Sequence, residues 1–581
     1  MAFQSLNKLF FDRAEQYDEK PFLWAKKNKE WLSLSWKETS LKVKEFAGGL
    51  KSFGIKPGDK VVIVSENRPE WIIADLAINL IGAVTVPAYT TNTEDDHHFI
   101  MDHSGAVVAI TSGGALATRM MLAATRAPQL RLMIFMDPTA IELPDSNIET
   151  KQWDDAVATA EPLANIDQRI DAQKADDTCC LIYTSGTGGR PKGVMLTHRS
   201  IQANIDAAIM LLEEANASSD QRFLSLLPLS HSYEHTAGLH LPLQTKSEVW
   251  YSESAEQIAA NLLDVSPTLM TAVPRLYDVL HERIMRGVRS KGGISARLFH
   301  ETIRLGRKRL AGRHLLPHEF ILNLALEKLV RQKVQARLGG RLAYFISGGA
   351  PLNPDVGSFF MALGVKLLQG YGQTEASPLI SANRPNLIKI DTVGPPVDGV
   401  ELRLSEDGEI LVRGDLLMKG YWRDPATTAG VIKDGWLYTG DLGSVDEDGY
   451  VTITGRKKDI IVNSGGENIA PGRVEALLAI EPEIEQVMVD GDHRPWLAGV
   501  IVPSDEARAK ATSDSDLKTL IAEAVDRANT RLSQIERVRR FVIAKEAFST
   551  ENSQLTPTLK VRRHIVRAAY ADQLDALYKR R

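Results

Sequence analysis

A chain of 581 residues is too long for one hydrophobic core, so several domains are expected at roughly 100–200 residues each. A formal net charge of -5, with 44% hydrophobic and 25% charged residues, describes a folded globular protein and argues against a nucleic-acid binder, which would carry a basic excess. The two cysteines, Cys179 and Cys180, are adjacent and would point to opposite faces of a strand, which argues against a disulfide; they read as strand core in a reducing cytoplasm.

The first twenty residues carry four acidic side chains and no uninterrupted apolar stretch, so they do not read as a secretory leader. Short apolar runs then alternate with helical periods. Val61–Val64, Ala83–Val86, Val107–Thr111, Leu132–Phe135 and Cys180–Tyr183 read as buried strands, with helices over Ser40–Phe53 and Trp71–Ile81. This alternation implies βαβ units and largely parallel sheets. The most membrane-like stretch, Trp71–Tyr89, is interrupted by Asp75 and Asn79 and ended by Pro87. It reads as a buried helix running into a strand.

Residues 285–340 are rich in Arg and Lys, with Leu310, Ile321, Leu324, Leu326, Leu329, Val330 and Val334 at helical spacing. They read as a helical insertion with a basic face. Residues 394–455 show short strands and tight turns (Asp407-Gly408, Asp434-Gly435, Asp448-Gly449), which suggests a small β-rich subdomain. A mixed α/β segment follows. The expected division is therefore 1–455 and 456–581.

The run Tyr183-Thr-Ser-Gly-Thr-Gly-Gly-Arg-Pro-Lys-Gly193 directly follows a predicted strand. Its glycines let successive N–H groups converge on one anion, Ser185 and Thr187 add hydroxyl donors, and Lys192 adds charge. A Walker A loop requires Gly-Lys-Ser/Thr, but Pro191 precedes Lys192 and Gly193 follows it. A dinucleotide fingerprint starting at Gly186 would need glycine where Pro191 stands. A competing chemistry comes from His231-Ser-Tyr-Glu234-His235, which matches the inverted zinc-protease pattern. Short patterns recur by chance, and Pro228 stands close before this one.

Several segments in order carry a resemblance: the loop Tyr183–Gly193, Leu227-Pro-Leu-Ser-His231, Ser347-Gly-Gly-Ala-Pro-Leu352, Gly370-Tyr-Gly-Gln-Thr-Glu375, Tyr438-Thr-Gly-Asp441, Gly455-Arg-Lys-Lys-Asp459, Ser464-Gly-Gly-Glu-Asn468 and Thr556-Pro-Thr-Leu-Lys560. Together they resemble the adenylate-forming enzymes, over nearly the whole chain. The resemblance implies an α/β fold. Its large N-terminal domain would be of stacked αβα sheets with a small β-rich subdomain, followed by a small mobile α+β C-terminal domain.

The resemblance also implies roles. The loop residues Thr184, Ser185, Gly186, Thr187, Gly188, Gly189 and Lys192 would hold ATP phosphates, with Mg²⁺ between Thr184 and Glu375. Gly348, Gly349 and Ala350 would face the adenine opposite Tyr371, within Gly370, Gly372, Gln373 and Thr374. Asp441 and Arg456 would hold the ribose. Lys560, with Lys192 and Glu375, would carry catalysis. Lys458 would be the hinge, and Ser464, Gly465, Gly466 and Glu467 would line a coenzyme A channel. Gly188 stands where the family usually has a second threonine, so one hydroxyl donor is missing.

The insertion, Val273-Pro-Arg-Leu-Tyr277 and the tail around Lys560 resemble the long-chain fatty acyl-CoA synthetase branch. That implies a fatty acid, ATP and coenzyme A as substrates, with His231 and Glu234 at the acyl pocket. An apolar tunnel would gain about 0.8 kcal/mol per buried methylene. The same nucleotide residues suit an acyl-AMP ligase that passes its product to a carrier-protein thiol. The basic face could rest on anionic membrane lipid. Chain-length preference and oligomeric state stay open.

Overall fold

The computed structural model describes residues 4–139, 147–158, 161–184, 190–217, 221–556 and 560–579. Within these, one mixed sheet runs Gly420–Tyr421, Lys192–Thr197, Thr178–Thr184, Val84–Pro87, Lys60–Val64, Ala106–Thr111, Leu132–Phe135, Glu149–Gln152. Its central strands are parallel. Val61 to Val64 are all buried, because such strands are covered on both faces. The helix Pro69–Leu80 and the strand Val84–Pro87 confirm the buried-helix reading of Trp71–Tyr89. Cys179 and Cys180 are free thiols in the sheet core.

A second sheet runs Leu379–Ala382, Lys366–Gly372, Tyr344–Ser347, Leu269–Ala272, Arg222–Ser225, Glu248–Tyr251, Pro21–Lys27, Glu30–Ser35. Leu269–Ala272, Tyr344–Ser347 and Lys366–Gly372 are parallel, with Ala272 opposite Ser347 and Ser347 opposite Gln369. Their carboxyl ends therefore emerge side by side, and ligand crevices in such sheets open there.

The β-rich region forms a sheet of Glu401–Leu404, Glu409–Arg413, Trp436–Val445, Ile432–Lys433 and Val451–Arg456. One part of 394–455 departs from the expected subdomain. Gly420–Tyr421 joins the first sheet, with Tyr421 opposite Val194. Gly394, at φ +79°, lies against the Ala382 and Asn383 backbone, where a Cβ would collide at 2.0 Å.

The insertion is helical over Pro274–Lys291, Gly293–Leu310 and Pro317–Leu326, with a π-helical turn Glu327–Arg331 before Gln332–Arg337. Its apolar residues divide. Leu326, Val330 and Val334 enter the core, whereas Phe320, Ile321 and Leu324 are 56%, 69% and 58% exposed. The outward face is thus apolar as well as basic.

Residues beyond Arg456 build hydrophobic clusters of their own. One joins Ile461, Val474, Leu497 and Ile521; another joins Met488, Val500, Val566 and Leu574. They surround the strands Ile484–Asp490, Leu497–Pro503 and Val538–Ile543. None of the described helices is long and apolar enough to cross a membrane.

Candidate active site

Thr184 and Lys192 face each other across the antiparallel strands Thr178–Thr184 and Lys192–Thr197. They bracket the glycine-rich loop expected to hold phosphates, whose residues Ser185, Gly186, Thr187, Gly188 and Gly189 lie outside the described residues. The Lys192 ammonium sits 5.0 Å from the centre of the Tyr421 ring, and the Tyr421 hydroxyl donates to Glu375 Oε1 at 2.9 Å. Glu375 is half-buried on the short helix Thr374–Ala376. Its Oε2 takes no hydrogen bond from a described side chain. A carboxylate oxygen left open beside a cationic loop suits a hard divalent ion bound with phosphates.

Gly348–Ala350 follow the strand Tyr344–Ser347, beside Gly370–Gly372 at the carboxyl end of the strand Lys366–Gly372, from which Gln373 and Thr374 continue. Gly348 packs against Tyr233, whose ring would lie 3.2 Å from an added Cβ. The Tyr233 hydroxyl donates to Ile346 O, which also accepts from Tyr277. Gly349 adopts φ +81°, which favours glycine. Gly372 has no room for a Cβ against the Pro378 carbonyl. Gln373 donates its backbone N–H to Pro378 O, and Thr374 Oγ1 meets Ser232 Oγ at 3.0 Å. Gln373 Nε2 is buried without a described partner.

Asp441 lies opposite Arg456 across two antiparallel strands. Arg456 Nε donates to Oδ1 at 2.8 Å, and the Tyr371 hydroxyl donates to Oδ2 at 2.7 Å. Tyr371, Asp441 and Arg456 are therefore one hydrogen-bonded group. Glu409 ties its base together, accepting from Gly440 N and from Lys457 Nζ. Lys458 lies exposed in the turn just after Val451–Arg456.

Lys560 reaches this group from the C-terminal residues. Its turn is held by hydrogen bonds from Lys560 N to Thr556 Oγ1 and from Thr556 N to Lys560 O. Loss of water around it lowers its ammonium pKa; Arg456 adds to that and Asp441 opposes it. His231 senses the same charge. Burial pushes its imidazole down to about 4, with Lys560 contributing, and its Nδ1 accepts from Tyr233 N. It is neutral near pH 7.

Glu234 faces inward, fully buried. Its carboxyl accepts from Ser225 Oγ at 2.6 Å and from Thr271 Oγ1 at 2.8 Å, and burial raises its pKa to about 7. It ties its turn to the strands Arg222–Ser225 and Leu269–Ala272. His231 caps the helical turn Ser232–Glu234, and His235 begins a π-helical segment, His235–His240. The zinc-protease reading fails on this geometry: Glu234 is engaged by two hydroxyls, and the histidine-containing group that converges among the described residues is Asp75, His235 and His240, without His231.

Ser464, Gly465, Gly466 and Glu467 lie on an exposed turn organised by Asn463, whose Oδ1 accepts from Gly465 N and Glu467 N. No described hydrogen bond joins them to the Tyr371–Asp441 group. The structure thus places Lys560 near Asp441 and Arg456, close enough for their charges to act on it, and leaves Ser464–Glu467 on a separate exposed turn. Sequence reasoning missed Tyr421 and Tyr233. The adjacent aromatics Tyr421-Trp422, set behind Gly420 among turn residues, were the available signal for the first.

The AMP-binding enzyme family matches residues 10–422, and its C-terminal domain matches 458–581. A long-chain-fatty-acid–CoA ligase of Mycobacterium bovis is 34% identical, over 95% of this chain and 93% of its own. A chloroplastic long-chain-fatty-acid–[acyl-carrier-protein] ligase of Arabidopsis thaliana is 28% identical, over 97% of this chain and 85% of its own. Among solved structures, the adenylation domain of a carboxylate reductase from Mycobacterium chelonae superposes with a TM-score of 0.78 at 22% identity, covering 100% of this chain and 92% of that one. An α/β chain in which Tyr371, near the carboxyl end of a strand of the large sheet, meets Asp441 and Arg456 of the β-rich sheet has the form of an adenylate-forming enzyme. The chain belongs to the AMP-binding enzyme family, on its long-chain acyl-CoA synthetase branch.

Proposed function

We propose that this protein activates a long-chain fatty acid with ATP and passes the acyl group to coenzyme A. What supports this reading is Lys560, close enough to Asp441, Arg456 and His231 for their charges to act on one another, beside the hydrogen-bonded Tyr371–Asp441–Arg456 group. In the first step a carboxylate oxygen bonds to the α-phosphorus, and the bond to pyrophosphate breaks. Negative charge gathers on that phosphate, so a fixed ammonium there acts where charge develops. Lys192 and the loop hold the outer phosphates, and Asp441 accepts from ribose hydroxyls. Mg²⁺ bound with ATP, beside Thr184 and Glu375, would neutralise phosphate charge.

In the second step the thiol sulfur bonds to the acyl carbon and AMP leaves; the thiol loses its proton. Coenzyme A thiol needs little activation. With Ser464–Glu467 on an exposed turn, entry of coenzyme A along them would need the C-terminal residues to turn about Lys458, where the match to the family's C-terminal domain begins. The relatives' names support the fatty acid. The carrier-protein ligase among them keeps a protein thiol as the second reading of the acceptor.

Fatty-acid-dependent exchange of labelled pyrophosphate into ATP, with Mg²⁺ and without coenzyme A, tests adenylation directly. Exchange is expected. Its absence with every acid would overturn the first step.

The exposed Phe320, Ile321 and Leu324 fit a peripheral lipid contact. Arg309, Arg313 and Lys328 nearby in sequence supply charge for anionic headgroups.

A further inference from the structure

Next to the turn that His231 caps lies a buried group that the adenylation chemistry does not use. Asp75 comes from the helix Pro69–Leu80, and His235 and His240 come from the first and last positions of the π-helical segment. The wider π turn brings residues five apart onto one side, and their rings meet edge to face with centres 4.8 Å apart. Asp75 Oδ1 is 3.6 Å from His235 Nε2. One donor atom from each residue lies within 4.8 Å of the other two.

These residues are 0%, 1% and 1% exposed. Both nitrogens of His235, both of His240, and Asp75 Oδ2 lack a hydrogen-bond partner among the described residues. A buried carboxylate and two imidazoles left so are costly, since each unpaired buried polar group forfeits about 1–3 kcal/mol. His198, also buried, has an unpartnered Nδ1 and is close enough to affect the charge of His240. Such concentrations of unsatisfied donors call for a filling group.

From this we infer that Asp75, His235 and His240 form a structural site for a divalent transition metal, zinc above all. One oxygen and two imidazole nitrogens suit that ion and are a poor set for Mg²⁺ or Ca²⁺. Tetrahedral zinc spaces its ligand atoms by about 3.4 Å, so the side chains close by up to about 1.5 Å around it. A water or His198 completes the shell. The ion pins the helix Pro69–Leu80 to the π-helical segment, and so steadies His231 and Glu234 at the start of that segment. The site is sealed, which makes it structural.

Metal content of full-length protein purified without chelators, read by mass spectrometry, is the test, with Co²⁺ substitution as a second readout. The expected result is one zinc per chain, a tetrahedral visible spectrum with Co²⁺, and a melting temperature lowered by a membrane-permeant-type strong chelator. Zinc retention should fall by more than about tenfold in His240→Gln and in Asp75→Asn, while His231→Gln keeps it. Wild-type protein without bound metal, and with no rise in melting temperature on adding Zn²⁺ or Co²⁺, would overturn the site. So would zinc held equally by the His240→Gln and Asp75→Asn variants, or zinc lost on removing His231. Should either variant fail to fold, the wild-type content and Co²⁺ spectrum still decide.

Discussion

The Tyr371 hydroxyl donates to Asp441 Oδ2 at 2.7 Å and joins the strand Lys366–Gly372 of the large sheet to the β-rich region. Arg456 holds the other carboxylate oxygen. The proposed adenine and ribose contacts are therefore one rigid unit. Asp441→Asn should lower kcat/KM for ATP by about 10- to 100-fold, the scale of a charge-assisted hydrogen bond. Tyr371→Phe should cost less, since Arg456 still orients the carboxylate. Steady-state kinetics with varied ATP check both; equal losses would show that Tyr371 does not act through Asp441 alone.

Lys560→Ala should lower adenylate formation by about 10²–10³-fold and spare thioester formation from supplied acyl-AMP. Half-reactions measured separately give the answer. Equal loss in both would remove its assignment to the first step.

Lys458→Pro should do the reverse. The residue lies in the turn after Val451–Arg456, and proline fixes φ there. Adenylation should persist while thioester formation drops. A normal second half-reaction would mean that no turn about this point is needed.

Burial holds the Glu234 carboxyl protonated up to about pH 7. Between an unfolded value of about 4.5 and about 7 the folded state alone binds this proton. Its contribution is fully present below pH 4.5, declines as pH rises through that window, and is gone above pH 7. The span is about 3 kcal/mol at most. Glu234→Gln should flatten that decline. Urea unfolding from pH 5 to 8 measures it, and parallel curves for the two proteins would contradict it.

The exposed apolar face of the insertion should bind vesicles rich in anionic lipid. Phe320→Glu with Ile321→Glu should reduce co-sedimentation several-fold, and raising salt should weaken what remains. Wild-type protein that stays in the supernatant with anionic vesicles would remove the lipid contact.

Much of the frame was readable from local pattern. The strands Lys60–Val64, Ala106–Thr111 and Leu132–Phe135 are short apolar runs between helical periods, and both signals are local. The pairing of Gly420–Tyr421 with Lys192–Thr197 was not readable, because two residues carry no periodicity and the partner lies far back in the chain. The Tyr371–Asp441 bond was likewise hidden, although both residues stood in motifs. The His231–His235 spacing suggested a metal site on a regular helix; a π-helical turn instead gathers His235 and His240 with Asp75, a distant residue that no short pattern reveals. The insertion's basic composition hid its exposed apolar stripe, since spacing alone does not tell which face meets the core.

The central claim is tested most directly by a fatty-acid series from short to long chains with ATP, Mg²⁺ and coenzyme A, following AMP release and thiol loss together. One AMP released for each thiol consumed, with the rate rising toward long chains, is the predicted result. AMP release without thiol loss, or no turnover with any fatty acid, would contradict it.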